Sequence, residues 1–312
     1  MCYAQNWLQV FLAIVAVTVA ATVAQGADSR TITVLSVDHA SICGLDLQAM
    51  QQAFSDAGLK PDYGGPHTNG GTHMALLGFD DGSYLEFIAP QTPGSADGSP
   101  WGKLLAADAG ACAWAVSSDD VQKELERLKA LGVPADGPTK GSRKRPDGLA
   151  IEWVTAQVGG GTPGSTLPFV IEDRTPREWR VKTSDSVKDS GLAGIDLVVV
   201  AVNDLKASAD RFSKAYGWSE PLVETQREFG AKVAYFPGEP VVLAAPVDTK
   251  SWIKERLQKF GETPVAFLLA TQDFNATSKK FRLSGSKVWF AQRVAWFDAS
   301  KLKGVRLGVI GK

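Results

Sequence analysis

Glu86 stands in "DDGSYLEFIAP" (80–90), a stretch whose alternation reads as a strand entered from a tight turn. One face of that strand carries Tyr84, Glu86 and Ile88, so a carboxylate sits where apolar side chains are expected. A buried carboxylate without a partner is costly or takes up a proton. Either this face is solvated, or a group elsewhere in the chain holds the charge. The three histidines, His39, His67 and His73, all fall in the first quarter of the chain. Imidazole and carboxylate together can move protons or bind a divalent metal. Other chemistries lack their motifs: there is no G-x-S-x-G, no phosphate loop, no H-E-x-x-H and no Rossmann fingerprint in context.

A repeat must position these residues. "VDHASICGLDLQAMQQAFSDAGL" (37–59) and "IDLVVVAVNDLKASADRFSKAYGW" (195–218) share one plan: an apolar strand, an Asp-Leu pair, then a helix with apolar residues at three and four spacing. "CAWAVSSDDVQKELERLKALGV" (112–133) and "VAFLLATQDFNATSKKFRLSG" (265–285) are weaker copies. An aspartate can cap each helix: Asp46, Asp120, Asp204 and Asp273. Each helix is followed by a Gly/Pro-rich stretch and two strands around a tight turn, "DDGS", "RPDGL", "FPGEP" or "KLKGV". The chain thus reads as four strand–helix–strand–strand–strand modules. "VGGGTPGSTLP" and the charged segment after it read as the boundary between two module pairs. The expected domains are 30–178 and 193–312, with a linker over 179–192.

The formal net charge of -1 gives no electrostatic footprint for nucleic acid or for an anionic membrane surface. Trp7 to Val23 is an apolar run followed by small residues, Ala24 and Gly26 among them. It predicts a signal peptide over 1–26 and export to the periplasm or beyond, with no membrane contact after cleavage; the alternative is an N-terminal membrane anchor. Cys43 and Cys112 sit in apolar runs and read as buried free thiols, though an exported location permits a bridge.

The paired modules, with "VDHASICGLDL", "GGPHTNGGTHMALLGFDDGSYLEFIAP", "GSRKRPDG" and "LPFVIE", resemble the glyoxalase-like branch of the vicinal oxygen chelate superfamily, which also holds glyoxalase I, extradiol dioxygenases and bleomycin-resistance proteins. The likeness covers roughly 31–178. The second half is similar at module level, chiefly through "GIDLVVVAVNDLKAS". The resemblance implies an α+β fold of four βαβββ modules paired into two domains, each pair closing a cup. In that family a module offers one metal ligand on its first strand and one on its fourth. Counted from the helix-start aspartates and the turn glycines, those positions hold His39, Glu86, Ala113 and Glu152 in the first half. In the second half they hold Leu197, Val242, Ala266 and Gly308, which cannot ligate. The implied ligand set is His39, Glu86 and Glu152, suited to Zn, Mn, Ni or Fe(II). His67, on its Gly-rich loop, or water could complete it.

Glu86 and Glu152 are also the candidate proton carriers, and His67, His73, Tyr84 and Arg143 the candidate substrate contacts. A turn centred on Asp81-Gly82 puts Leu77 opposite Glu86 and His73 on the Glu86 face, about 13 Å along the strand. A turn centred on Asp147-Gly148 puts Arg143 opposite Glu152. The expected function is that of an exported, divalent-metal-dependent enzyme of lyase, isomerase or dioxygenase type, acting on a small oxygenated molecule and able to form a homodimer. The alternative is a non-catalytic protein that sequesters a small ligand in a metal-free cup.

Overall fold

The computed structural model describes residues 32–311. The expected signal peptide lies outside these residues. Among the described residues no helix is long and apolar enough to cross a membrane.

The first module comprises β1 (Val37–Cys43), α1 (Leu47–Asp56), β2 (Asp62–Pro66), β3 (Thr72–Gly78) and β4 (Tyr84–Pro90). A crossing segment with the short helix α2 (Gly102–Ala106) leads to the second: β5 (Gly110–Ser117), α3 (Val121–Ala130), β6 (Ala135–Lys144), β7 (Ala150–Val158) and β8 (Phe169–Asp173). After α4 (Arg177–Arg180) the third module runs β9 (Leu192–Ala201), α5 (Leu205–Tyr216), β10 (Leu222–Gln226), β11 (Ala231–Tyr235) and β12 (Val241–Pro246). Helix α6 (Trp252–Phe260) crosses to the fourth: β13 (Thr263–Thr271), α7 (Phe274–Lys280), β14 (Lys287–Trp289), β15 (Gln292–Trp296) and β16 (Arg306–Gly311). All four module helices start where the repeat places them. The side chains of Asp46, Asp120, Asp204 and Asp273 accept from backbone N–H groups three residues on, at 2.9–3.0 Å.

Each half is one eight-stranded sheet. The orders are β2-β3-β4-β1-β5-β8-β7-β6 and β10-β11-β12-β9-β13-β16-β15-β14, the same arrangement twice. The first strands of paired modules run antiparallel at the centre, and each lies parallel to the fourth strand of its own module. The first sheet curls until its ends meet: His67 bridges Arg143, and the Thr68 N–H donates to Ser142 O at 3.2 Å. Alternation then sorts the side chains. Ala40, Ile42, Leu85 and Phe87 face the helices and join a core that also takes Val198, Phe212 and Leu243 from the second half. Trp114 stacks on Phe212 at 6.4 Å within it. His39, Ser41, Tyr84 and Glu86 face the inside of the curl.

Two boundaries differ from the sequence reading. Residues 159–168 are no inter-domain linker, because β8 follows them and completes the first sheet beside β5 and β7. Residues 179–192 pack rather than hang free. Arg180, Val181, Ser184 and Val187 are buried, and Ser184 Oγ donates to Asp62 Oδ2 at 2.7 Å. Cys43 and Cys112 are not free thiols but a disulfide joining β1 to β5.

Candidate functional site

The curl of the first sheet encloses a cavity of about 970 Å³. The corresponding space in the second half is filled. There Leu197, Val199 and Val242 hold the positions of His39, Ser41 and Glu86, and helix α6 buries Ile253 and Leu257 against them with Phe229 and Trp289. Between β4 and β5 of the first half, α2 is only five residues long, and the cup stays open beside it.

The cup's chemistry gathers around Glu86. Its Oε2 accepts from Ser41 Oγ at 2.9 Å. His39 Nε2 lies 3.8 Å from Oε2, and His67 Nε2 lies 3.9 Å from Oε1. Those separations are too long for hydrogen bonds. Both imidazoles are anchored at their far nitrogen, His39 Nδ1 to Asp38 Oδ1 at 2.6 Å and His67 Nδ1 to Thr72 Oγ1 at 2.7 Å. Burial of His67 lowers its pKa, against a smaller opposing pull from Glu86, and so favours its neutral form.

Asp38 reaches this site because β1 bulges. The register with β5 steps from Val37↔Val116 to His39↔Ala115, leaving Asp38 as an extra residue. Asp38 is 1% exposed. Burial alone would raise its pKa, but Arg180 opposes this through charge and hydrogen bonds, with His39 adding to it. The carboxyl is held far below its ordinary value. Arg180 donates to Asp38 Oδ1 at 2.8 Å and Oδ2 at 2.7 Å, to Tyr84 Oη at 2.8 Å, and through Nε and Nη2 to Asp173. Arg177 adds a further bond to Asp38. An ionised Asp38 can only accept, so Nδ1 of His39 donates to it, and the ring turns Nε2 toward Glu86 and the cavity.

The candidate residues separate accordingly. His39, His67 and Glu86 converge. Tyr84 lines the same wall but is buried beneath His39, stacked at 4.8 Å, and so braces the imidazole. Glu152 does not take the register of Glu86. The "RPDGL" turn joins the second and third strands of its module, not the third and fourth, so Glu152 lies on β7 with an exposed side chain. The true counterpart of Glu86 is Phe169: Glu86 pairs with Ser41, two residues after His39, and Phe169 pairs with Ala115, two after Ala113. His73 leaves the site. The hairpin pairs Leu76, not Leu77, with Glu86, and a one-residue shift reverses the face. His73 instead meets Tyr63 edge-on at 6.1 Å. The same shift sets Ser142, not Arg143, opposite Glu152. Arg143 is 4% exposed and lines the cavity, donating to the carbonyls of Gly64 and Arg180.

Sequence reasoning missed Asp38, Arg180, Arg177 and Asp173. A signal was present in "EDRTPREWR" (172–180), where Asp173, Arg177 and Arg180 recur at helical spacing, facing the adjacent acid and imidazole of "DH".

A metal would suit this donor set. Two imidazole nitrogens and one carboxylate match common ligand types, each imidazole has the outer partner that ligating histidines use, and the 3.8–3.9 Å separations lie within twice a metal–ligand distance of about 2.1 Å. Among the described residues no three His, Cys, Asp or Glu side chains stand at ion-binding spacing, so binding requires these donors to draw inward.

The family described as "Glyoxalase-like domain" matches residues 37–216, more than half the chain. This chain belongs to that family, within the vicinal oxygen chelate superfamily. The match runs past β8 through α5. No curated protein matches. A hypothetical protein from Staphylococcus aureus has the same fold at 13% identity, with a TM-score of 0.59 over 89% of this chain and 100% of its own. Methylmalonyl-CoA epimerase from Mycobacterium tuberculosis is 21% identical over 39% of this chain and 89% of its own, with a TM-score of 0.35. The Streptomyces coelicolor epimerase in complex with 2-nitronate-propionyl-CoA is 20% identical over 38% and 96%, with a TM-score of 0.34.

Proposed function

We propose that this chain is an exported, divalent-metal-dependent enzyme whose first cup acts on a small oxygenated substrate, with the second cup serving as structure. One observation carries the reading: two anchored imidazoles and a carboxylate converge at an otherwise largely apolar cavity. His39, His67 and Glu86 would hold the ion. Bound there, it would polarise a substrate oxygen. Glu86 is the group placed to take a proton from the carbon beside that oxygen, since Ser41 steadies one of its oxygens. Asp38 and Thr72 keep the imidazoles oriented. The Cys43–Cys112 bridge supports export, because disulfides persist in oxidising compartments.

The test is exchange with deuterated solvent of the C2 proton of 2-hydroxy acids and of the C3 protons of 2-oxo acids, followed by NMR. Wild type reconstituted with Zn, Mn, Ni or Fe(II) should catalyse exchange, and Glu86→Gln should lose at least about 100-fold. Equal exchange in Glu86→Gln would remove the glutamate from the chemistry. Ligand binding indifferent to chelator, with no turnover, would replace the enzyme with a metal-free binding protein.

A further inference from the structure

The cavity is far larger than the group of polar residues around Glu86 needs. A three- or four-carbon acid would leave most of its 970 Å³ to water. Aromatic side chains occupy the wall beside those polar groups. Phe169 meets His39 edge-on at 5.3 Å, and Trp101 lies 6.4 Å beyond Phe169. On the other side Trp153 meets His67 at 6.0 Å. Each imidazole is therefore continued along the cavity by an aromatic ring.

Both indoles are half-buried and fixed in place. Trp101 Nε1 donates to Pro163 O at 3.1 Å, which ties the crossing segment to the loop between β7 and β8. Trp153 lies down across its strand partner Gly141, where a Cβ would come within 2.3 Å of Nε1. Only glycine leaves that space, and the indole's orientation depends on it. Beside the same cavity, the buried Arg143 bonds carbonyl oxygens and forms no ion pair among the described residues. Glu86 offsets part of its charge from a distance, and an anionic group in the cavity would meet the rest.

Resting on the site reading above, we infer that the first cup selects an aromatic 2-oxygenated carboxylate. The ring lies along Trp101, Phe169 and Trp153, and the oxygenated end meets Glu86 and the two imidazoles within reach of the Arg143 charge. Fixed aromatic walls reward a planar apolar body and give little to a short acid.

The test compares phenylpyruvate with pyruvate by isothermal titration calorimetry, using the reconstituted full chain and the chelator-treated protein, with metal content measured on each sample. Phenylpyruvate should bind wild type at least about tenfold more tightly than pyruvate, a difference two ring contacts supply. Trp153→Leu should lose most of that preference, and Gly141→Val, which displaces the indole without removing it, should lose a comparable share. Both variants are checked for wild-type melting and metal content. Phenylpyruvate methyl ester should bind more weakly than the acid even without metal. Equal affinity of pyruvate and phenylpyruvate for metal-loaded protein would overturn the aromatic slot while leaving the metal site standing. A phenylpyruvate preference in protein that takes up no metal would uphold the slot and reject the metal site. Equal binding of acid and ester to chelator-treated protein would reject the role given to Arg143.

Discussion

Replacing Asp38 by Asn should destabilise the first half in a pH-dependent way. Asp38 is 1% exposed and joined to Arg180, Arg177 and His39. Removing one partner from a buried ion pair typically costs 3–5 kcal/mol. Arg180 keeps Asp173, so the expected loss at pH 7 is about 3 kcal/mol. In a folded unit of this size that lowers Tm by roughly 6–9 °C. The pH dependence follows from the carboxyl's depressed pKa in the folded state, which Arg180 and His39 enforce against burial. As pH falls, the unfolded chain takes up the proton first, near pH 3.9, and folding loses ground. Wild type should keep its full advantage over Asp38→Asn from pH 8 to 5. Below pH 4 that advantage should shrink by about 1.4 kcal/mol per pH unit, the variant having no carboxyl there to titrate. Urea denaturation of both proteins from pH 7 to 2.5 measures this. A gap that stays constant to pH 2.5, or no gap at pH 7, would refute the buried ion-pair account.

Further outcomes follow from the same geometry. Replacing both Cys43 and Cys112 by Ser removes a bridge spanning 69 residues, and urea denaturation should show a loss of about 4 kcal/mol. Leu257→Ala should cost 2–5 kcal/mol in the same assay while leaving metal content and ligand affinity unchanged, because the Leu257 side chain is buried in the second cup. Glu152→Gln should change neither metal content nor exchange activity, since the side chain lies exposed on β7.

The fold was readable because each module repeats the same local instructions. An apolar strand, a capping aspartate and an amphipathic helix recur four times, and all four aspartates cap as expected. The ligand register also transferred wherever the tight turn joins the third and fourth strands, giving Glu86, Val242 and Gly308. It failed in the second module because the sequence does not announce which hairpin is which. "RPDGL" looks like the other turns, yet the fourth strand waits beyond a Gly-rich loop. His73 was lost to a hairpin register one residue off, which local turn chemistry could not resolve. Asp38 and Arg180 are 142 residues apart, and only the path of α4 back over the first sheet brings them together. The Cys43–Cys112 pair likewise depends on β1 and β5 being neighbours, which two apolar runs do not disclose.

The most direct test is the metal content of the purified full chain, measured by elemental analysis for wild type, His39→Ala, His67→Ala and Glu152→Gln after exposure to Zn, Mn, Ni and Fe(II). The expected result is about one ion per chain in wild type and Glu152→Gln, and none in either histidine variant. No retained ion in wild type, or retention in His67→Ala with loss in Glu152→Gln, would contradict a site built from His39, His67 and Glu86.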